Sequence, residues 1–296
     1  MNFKNKKVWI TGASSGIGEA TAYAFAKEGA HLILSARNET ELLRVKMGCA
    51  DAESVEIVKM DIANHDEVFS IAKALIQRIG AIDILVNNAG ISQRSLVKDT
   101  DFQVDTHIVN VDLLGTIAVT KAVLPSMLAQ KSGQIIVISS LMGKFGAPLR
   151  SAYAAAKHGL HGFFDTLRAE VFDDNIKVLM VCPGFVQTNI SINAITADGS
   201  KQGTMDEATG KGLTAETVAS KILRGVKSGK EEINVGGREV VGIYFLHRFC
   251  LPNYLRKQPW QKPFEIDAYH LTTTDVDFFF TAFDPPQYFA RHRLCR

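Results

Sequence analysis

The chain has 296 residues and a net charge of +2, with 46% hydrophobic residues. It is long enough for one large α/β domain with a substantial core. Acidic and basic residues are interleaved, which argues against a nucleic-acid-binding protein. The four cysteines are scattered, so we expect no disulfide framework, no metal site and a reducing, cytoplasmic compartment. No secretory signal and no apolar stretch of about 18 residues is visible, so we expect no membrane-spanning helix.

Short apolar runs alternate with longer segments of helical periodicity from the N-terminus to about residue 235. Near-continuous β-branched runs are typical of strands that are buried on both faces. Alternating strands and helices favour βαβ units, so we predict an α/β, Rossmann-type doubly wound parallel sheet of about seven strands with helices on both faces. The predicted strands are 7–10, 31–36, 55–60, 83–87, 133–139, 176–181 and 231–235. Predicted helices include 19–29, 67–80 and a long one over 106–130.

A glycine-rich turn, TGASSGIG at residues 11–18, follows the first predicted strand. Glycines in such a turn let the backbone approach a pyrophosphate, and the N-terminus of the next helix attracts the phosphates. A merely flexible loop is the competing interpretation. Because of its position between strand and helix, we predict a dinucleotide site.

The residues at the end of the second predicted strand indicate whether NAD or NADP binds. It carries Ala36 and Arg37 and no acid. An acid there would bind the ribose 2′-OH of NAD, whereas a guanidinium pairs with the 2′-phosphate of NADP. In this prediction, Ser14 also donates a hydrogen bond to the phosphate. The alternative for Arg37 is a solvated charge, and we favour NADP(H).

Tyr153 and Lys157 lie four residues apart in the alanine-rich stretch SAYAAAK. In a helix they share one face, where the ammonium favours the phenolate form of the tyrosine. Alone, the pair is equally typical of an ordinary helix surface.

Six motifs lie in order over about 250 residues. They are TGASSGIG (11–18), NNAG (87–90), Asn110 in HIVNVDLLG, ISS (138–140), YAAAK (153–157) and PGFVQT (183–188). Together these motifs resemble those of the short-chain dehydrogenase/reductase family, and within it the chain is most similar to the NADP-linked branch that includes dehydrogenase/reductase member 7B-like proteins. The resemblance covers residues 1–256 as a single domain and does not extend to 257–296, an aromatic- and proline-rich extension.

The resemblance implies hydride transfer between NADP(H) and a carbonyl or secondary alcohol. Tyr153 would be the general acid and base, and Lys157 would favour its phenolate and hold the nicotinamide ribose. Ser140 would donate a hydrogen bond to the substrate oxygen. Asn110 would steady a water that links Lys157 to solvent.

The resemblance also implies a set of cofactor contacts. Asp61 would in addition cap the next helix, Asn88 would bond backbone across strands, and Asn87 would lie near the ribose. The implied cofactor-binding residues are Gly12, Ser14, Ser15, Gly16, Ile17, Gly18, Arg37, Asp61, Ile62, Asn88, Ala89, Gly90, Tyr153, Lys157, Pro183, Gly184, Val186 and Thr188.

The substrate side is less specific in sequence. Residues 189–213 are polar and glycine-containing, which is typical of a lid over a small-molecule substrate. Two alternatives to the reductase remain, an epimerase or dehydratase with the same groups and a non-catalytic NADP-binding sensor. The apolar pocket candidates are Leu141, Met142, Phe145, Phe185 and Ile190.

The expected partners are a second copy of the chain and, less strongly, a membrane. The resemblance implies a homodimer or homotetramer built on helices within 106–130 and 151–172, with His158 and His161 at the interface. Segment 240–258 is apolar with basic residues, which allows peripheral membrane contact, although a final strand and helix is the favoured alternative.

Overall fold

A computed structural model describes residues 2–237. Its main sheet has seven parallel strands in the order β3-β2-β1-β4-β5-β6-β9, and two further short strands form a separate ribbon. The order reverses between β1 and β4, which makes the sheet doubly wound and confirms the predicted fold class. The strands are β1 (Lys7–Thr11), β2 (His31–Ala36), β3 (Ser54–Lys59), β4 (Ile84–Asn87), β5 (Gly133–Ile138), β6 (Ile176–Pro183), β7 (Val186–Gln187), β8 (Leu213–Thr214) and β9 (Glu232–Val235).

Helices cover both faces of the sheet and enclose one apolar cluster on each face. Along β5 the side chains alternate, so Ile136 packs in one cluster and Val137 in the other. The helices are α1 (Gly16–Ala26), α2 (Glu39–Met47), α3 (His65–Ile79), α4 (Phe102–Val109), α5 (Thr116–Gln130), α6 (Ser151–Glu170), α7 (Glu207–Gly210) and α8 (Ala215–Lys227).

A π-helical turn, Asn110–Gly115, joins α4 to α5 into one continuous helical segment. Such turns insert a residue into the helix and re-aim the side chains around it. The segment packs closely on α6, because a Cβ atom on Gly159 would lie 2.9 Å from the Leu113 side chain.

The same segment, Phe102–Gln130, is long and apolar enough to cross a membrane, with a mean hydropathy of 1.5 over its best window. The sequence analysis, which looked for an unbroken apolar stretch, did not detect this segment, and its expectation of no membrane-spanning helix stays a prediction. Half of that window is buried inside the protein, which is also typical of a core helix.

The carboxyl ends of the central strands lie side by side. Val137 of β5 pairs with Asn87 of β4 and with Met180 of β6. Loops that leave these strands therefore meet at one edge of the sheet, where ligands bind in open α/β folds. The predicted domain boundary at 256, the extension 257–296 and the segment 240–258 lie outside the described residues.

Candidate active site

Ser140, Tyr153 and Lys157 are buried together near the carboxyl end of β5. Ser140 Oγ accepts a hydrogen bond from Met142 N at 3.1 Å, so its own proton is free to be donated to another acceptor. Lys157 Nζ donates to the Ile138 carbonyl at 3.2 Å and lies 5.6 Å from the centre of the Tyr153 ring. The helical spacing thus places the ammonium beside the phenol.

The structure places a carboxylate, Asp112, against the lysine. Asp112 Oδ2 is 3.3 Å from Lys157 Nζ, and Asp112 Oδ1 accepts a hydrogen bond from Ile91 N at 2.7 Å. The amide of Asn110 instead donates to the Ala63 carbonyl at 3.3 Å. Asp112 is therefore the side chain in direct contact with Lys157, and the water-mediated role expected of Asn110 stays a prediction.

The π-helical turn is the reason for this difference. Asn110 begins the turn and Asp112 lies within it, so the extra residue changes which side chain faces α6. The sequence analysis missed Asp112. An ionisable residue beside Asn110 in an otherwise apolar helical stretch is the one signal that could have indicated it.

Both members of this pair have shifted pKa values. Burial raises the pKa of Asp112, and the attraction of Lys157 only partly opposes that effect. Burial opposes the charged form of Lys157, but the Asp112 carboxylate and Tyr153 outweigh it, so the pKa of Lys157 is raised. The Asp112 carboxylate therefore favours the charged form of the lysine.

The glycine turn forms a cradle in which extra side-chain atoms do not fit. Gly12 has a φ of +64°, and a Cβ atom there would lie 2.7 Å from Ala89 Cα. A Cβ atom on Gly18 would lie 2.3 Å from the Gly12 carbonyl oxygen. Gly16 also has a positive φ, and Thr188 covers it, with Cγ2 at 3.0 Å from the Cβ position. The turn and segment 183–188 are thus in direct contact.

The N-terminus of α1 is suited to the phosphates of a dinucleotide. It has no side-chain cap, because the Ser15 side chain makes no capping hydrogen bond. Its first N–H groups are consequently available to an anion, as in other dinucleotide cradles. Ile17 packs on the apolar cluster behind the turn. The residues present therefore fit a nicotinamide dinucleotide.

Arg37 is exposed directly after β2, and Ser14 is half-buried in the glycine turn. A second guanidinium, Arg44, approaches this turn and donates to the Ser14 carbonyl at 3.4 Å. Arg44 is already paired with Glu19 at 2.7 Å and with Glu41 at 2.7 Å. Arg37 is therefore the better candidate for a 2′-phosphate.

The NNAG segment fastens the first strand to the fourth. Asn88 donates its amide to the carbonyls of Thr11 and Gly12, at 3.1 and 3.0 Å, as expected of a cross-strand residue. Thr11 Oγ1 in turn accepts from the backbone of Asn88 and Ala89. Asn87 points elsewhere, because its buried amide donates to Thr120 Oγ1 at 2.9 Å.

Asp61 and Ile62 lie after β3. Asp61 Oδ1 accepts from Ala63 N at 3.0 Å, but the cap of α3 is Asn64, whose side chain accepts from Glu67 N. The prediction that Asp61 caps this helix was wrong, because α3 begins at His65, about one turn beyond the position that Asp61 would cap. Ile62 is buried against the π-helical segment.

The residues after β6 line the other side of the cradle. Pro183 ends β6 beside Val235, and Gly184 N donates to the Val235 carbonyl at 2.8 Å. Val186 is buried and pairs with Leu213 in the β7–β8 ribbon, which the sequence analysis did not predict.

Among the described residues, no group of three His, Cys, Asp or Glu side chains is placed to hold a metal ion.

The predicted lid, residues 189–213, is fastened to the loop after β4. Arg94 N donates to the Ile195 carbonyl at 2.8 Å, and Ile195 N donates to the Ser92 carbonyl at 2.8 Å. Arg94 also pairs with Asp206, which Arg150 approaches at 3.5 Å. Backbone hydrogen bonds and ion pairs therefore hold the segment against the loop after β4. Of the predicted pocket residues, Leu141 is buried and Ile190 is exposed.

His161, expected at a subunit interface, faces the protein interior instead. Its Nε2 lies 3.1 Å from Ser139 Oγ and its Nδ1 lies 3.2 Å from Lys144 Nζ. His158 is exposed, and its Nδ1 donates to the Ala154 carbonyl at 2.8 Å. Both histidines thus have partners within the chain.

Comparisons with known proteins agree with this geometry. The sequence model of the family described as short chain dehydrogenase matches residues 6–198. The mouse protein dehydrogenase/reductase SDR family member 7B is 41% identical over 235 residues, which is 78% of this chain and 73% of that protein.

Two solved structures are similar to this chain. An alcohol dehydrogenase from the archaeon Thermococcus sibiricus, complexed with 5-hydroxy-NADP, has a TM-score of 0.69 and 26% identity, covering 79% of this chain and 97% of that structure. A short chain dehydrogenase/reductase from Burkholderia phymatum, in complex with NAD, has a TM-score of 0.75 over 89% of this chain and 99% of that one. At 24% identity the latter shows the shared fold alone.

Proposed function

This chain belongs to the short-chain dehydrogenase/reductase family, and we propose that it is an NADP(H)-dependent oxidoreductase acting on a carbonyl or secondary alcohol. One observation carries the proposal. Ser140, Tyr153 and Lys157 are buried together beside a glycine cradle that fits a nicotinamide dinucleotide. The reaction requires a proton at the substrate oxygen and a hydride at the adjacent carbon, and these two features supply both.

The side chains have separate roles in this mechanism. When bound, NADP(H) supplies the hydride or accepts it. Tyr153 donates the proton to the carbonyl oxygen in reduction and removes it from the alcohol in oxidation. Lys157 favours the phenolate through its positive charge. Ser140 donates a hydrogen bond to the oxygen on which negative charge develops.

The test is NADPH oxidation measured with a panel of aldehydes, ketones and diketones. The Tyr153→Phe variant keeps the ring and loses the proton, so turnover should fall by about 10²- to 10⁴-fold. The matched control is Tyr23→Phe, because Tyr23 lies on α1 and bonds only Glu19 through its hydroxyl. Equal turnover by the wild type and Tyr153→Phe would contradict the proposal.

NADP(H) is proposed over NAD(H) because Arg37 is exposed at the end of β2 with no acid beside it. In the Arg37→Glu variant the KM for NADPH should rise about 10- to 100-fold, since a charge-assisted hydrogen bond contributes about 1.5–3 kcal/mol. The KM for NADH should change little. Lys46→Gln, which alters an exposed cation on α2, is the control. An unchanged NADPH KM in Arg37→Glu would argue against this choice.

A homodimer or homotetramer built on the α4–α5 segment and α6 belongs to the same proposal. The α4–α5 segment exposes Phe102, Leu114 and Leu128 to solvent. Exposed apolar residues on packed helices favour association with a second copy. Light scattering across micromolar concentrations should give a multiple of 32.4 kDa. A monomer throughout would contradict it.

A further inference from the structure

Asp112 is a fully buried carboxylate at the centre of the candidate active site. Its side chain is 0% exposed, and that of Lys157 is 6% exposed. A buried carboxylate without a partner is strongly disfavoured, so both oxygens need contacts. Oδ1 has the Ile91 N–H, whereas Oδ2 has only Lys157 among the described residues. The Asp112 carboxylate and the Lys157 ammonium therefore form a buried ion pair.

Three neighbours surround the Lys157 ammonium. It donates to the Ile138 carbonyl of β5, faces Asp112 in the π-helical turn and lies near the Tyr153 ring one turn back on α6. Two of these contacts fix its position from outside its own helix. Loss of the Asp112 contact would leave the ammonium held by the Ile138 carbonyl alone.

Gly90 allows the NNAG segment to lie close to the Asp112 carboxylate. A Cβ atom on Gly90 would lie 3.2 Å from Asp112 Oδ2, so the NNAG segment packs against the carboxylate. Asp112 thus lies between the cofactor cradle and the lysine.

We propose that Asp112 is a positioning residue, whose carboxylate holds the Lys157 ammonium beside Tyr153 and offsets part of its positive charge. The inference rests on the proposed oxidoreductase function. An offset charge favours the phenolate less strongly, so the pH range of proton transfer lies higher than it would beside a neutral residue. The raised pKa of Lys157 agrees with this arrangement.

Few other charges act on the pair. His107 on α4 acts on Asp112, and Arg150 at the start of α6 acts on Tyr153. The π-helical turn contributes Asp112 itself, and α6 contributes Lys157.

The test compares pH profiles of alcohol oxidation in the wild type, Asp112→Asn and Asp112→Glu. The amide removes the charge and keeps an oxygen for the Ile91 N–H, so the profile midpoint should fall by about one pH unit or more. Glu keeps the charge and should retain a midpoint near that of the wild type. An unchanged midpoint in Asp112→Asn would overturn the proposal. If Asp112→Asn does not fold, Asp112→Ser replaces it with the same expected shift.

A second measurement needs no turnover. The ultraviolet absorbance of the Tyr153 phenolate, taken as the difference between each protein and its Tyr153→Phe counterpart, should rise at lower pH in Asp112→Asn. This measurement tests the role of Asp112 separately from the proposed function, because the shift in phenolate absorbance can be measured even in a protein that has no oxidoreductase activity. Asp173→Asn, which removes an exposed carboxylate beyond the C-terminal end of α6, should leave the phenolate midpoint unchanged.

Discussion

Helix α6 carries two buried polar clusters that differ in what their side chains are free to do. The candidate catalytic cluster contains Ser140, Tyr153, Lys157 and Asp112. The histidine cluster contains Ser139, His161, Cys182, Lys144 and Glu232, joined by contacts of 3.8 Å or less. Each cluster uses one of the two consecutive serines after β5. Of these two serines, Ser139 donates to the Lys157 carbonyl, whereas Ser140 has no acceptor for its hydroxyl proton among the described residues.

The histidine cluster is consistent with one arrangement of protons. The Lys144 ammonium can only donate, so His161 Nδ1 accepts and Nε2 carries the proton. Nε2–H then donates to Ser139 Oγ, and Ser139 donates to the Lys157 carbonyl at 3.4 Å. Every hydroxyl and ring hydrogen in this chain of contacts is used. The cluster therefore stabilises the fold and has no proton to give to a substrate.

Cys182, which also belongs to the histidine cluster, is unsuited to nucleophilic catalysis. Cys182 Sγ lies 3.7 Å from His161 Nε2, but burial raises the pKa of the thiol to about 12. A thiol rather than a thiolate is a poor nucleophile. The comparison indicates that hydrogen-bond saturation, rather than burial, separates the candidate catalytic cluster from the histidine cluster.

The largest expected difference lies between the two serines. Ser140→Ala should lower kcat by about 10²- to 10³-fold, because it removes a donor to the developing negative charge. Ser139→Ala should change kcat by no more than about threefold and lower the free energy of unfolding by about 1 kcal/mol. Steady-state kinetics and urea denaturation of both variants check this. Similar losses of kcat in the two would break the distinction.

A second difference concerns acid stability. Burial, followed by the Lys144 ammonium, lowers the pKa of His161 to about 4, from an ordinary 6.5 in the unfolded chain. Between these values the unfolded state binds a proton that the folded state does not. The free energy of unfolding should therefore fall as pH drops through this window, by at most about 3 kcal/mol.

Urea denaturation between these pH values measures that slope. His161→Gln removes the titrating group, so its stability should depend less on pH than that of the wild type. His158→Gln, on the same helix but exposed to solvent, is the control. A slope in His161→Gln equal to that of the wild type would assign the effect to other groups.

The smallest effect is expected at the edge of the histidine cluster. Glu232 pairs with Lys144 at 2.6 Å, and its side chain is one-third exposed. Partly exposed ion pairs contribute roughly 0–1 kcal/mol, so Glu232→Gln should cost less than that and leave kcat unchanged. Thermal denaturation and NADPH oxidation measure both. A large loss of kcat would connect this cluster to catalysis after all.

The elements of this fold could be predicted closely, for a local reason. Each of the seven main-sheet strands begins and ends within two residues of its predicted bounds. A buried parallel strand needs a continuous apolar run, and the turns between strands need particular residues, so both leave local patterns. Membership in the family was confirmed for the same reason, because its motifs occupy fixed places relative to those strands.

The neighbours of Lys157 could not be predicted in this way. Helical spacing alone places Tyr153 beside the lysine, since the two share one turn of α6. Asp112 reaches it only because a π-helical turn changes the register of a distant helix. Asn110 and Asp112 are both polar residues in the same short stretch, and nothing in their spacing indicates which of them faces α6.

By itself, the sequence determined the alternation of strands and helices, the glycine cradle and the Tyr153–Lys157 pair, because each depends on residues close together in the chain. Only the tertiary structure decided that Asp112 contacts Lys157 and that His161 points inward to Ser139. Those contacts depend on how separate helices and strands pack. Packing brings together residues whose positions in the sequence are unrelated.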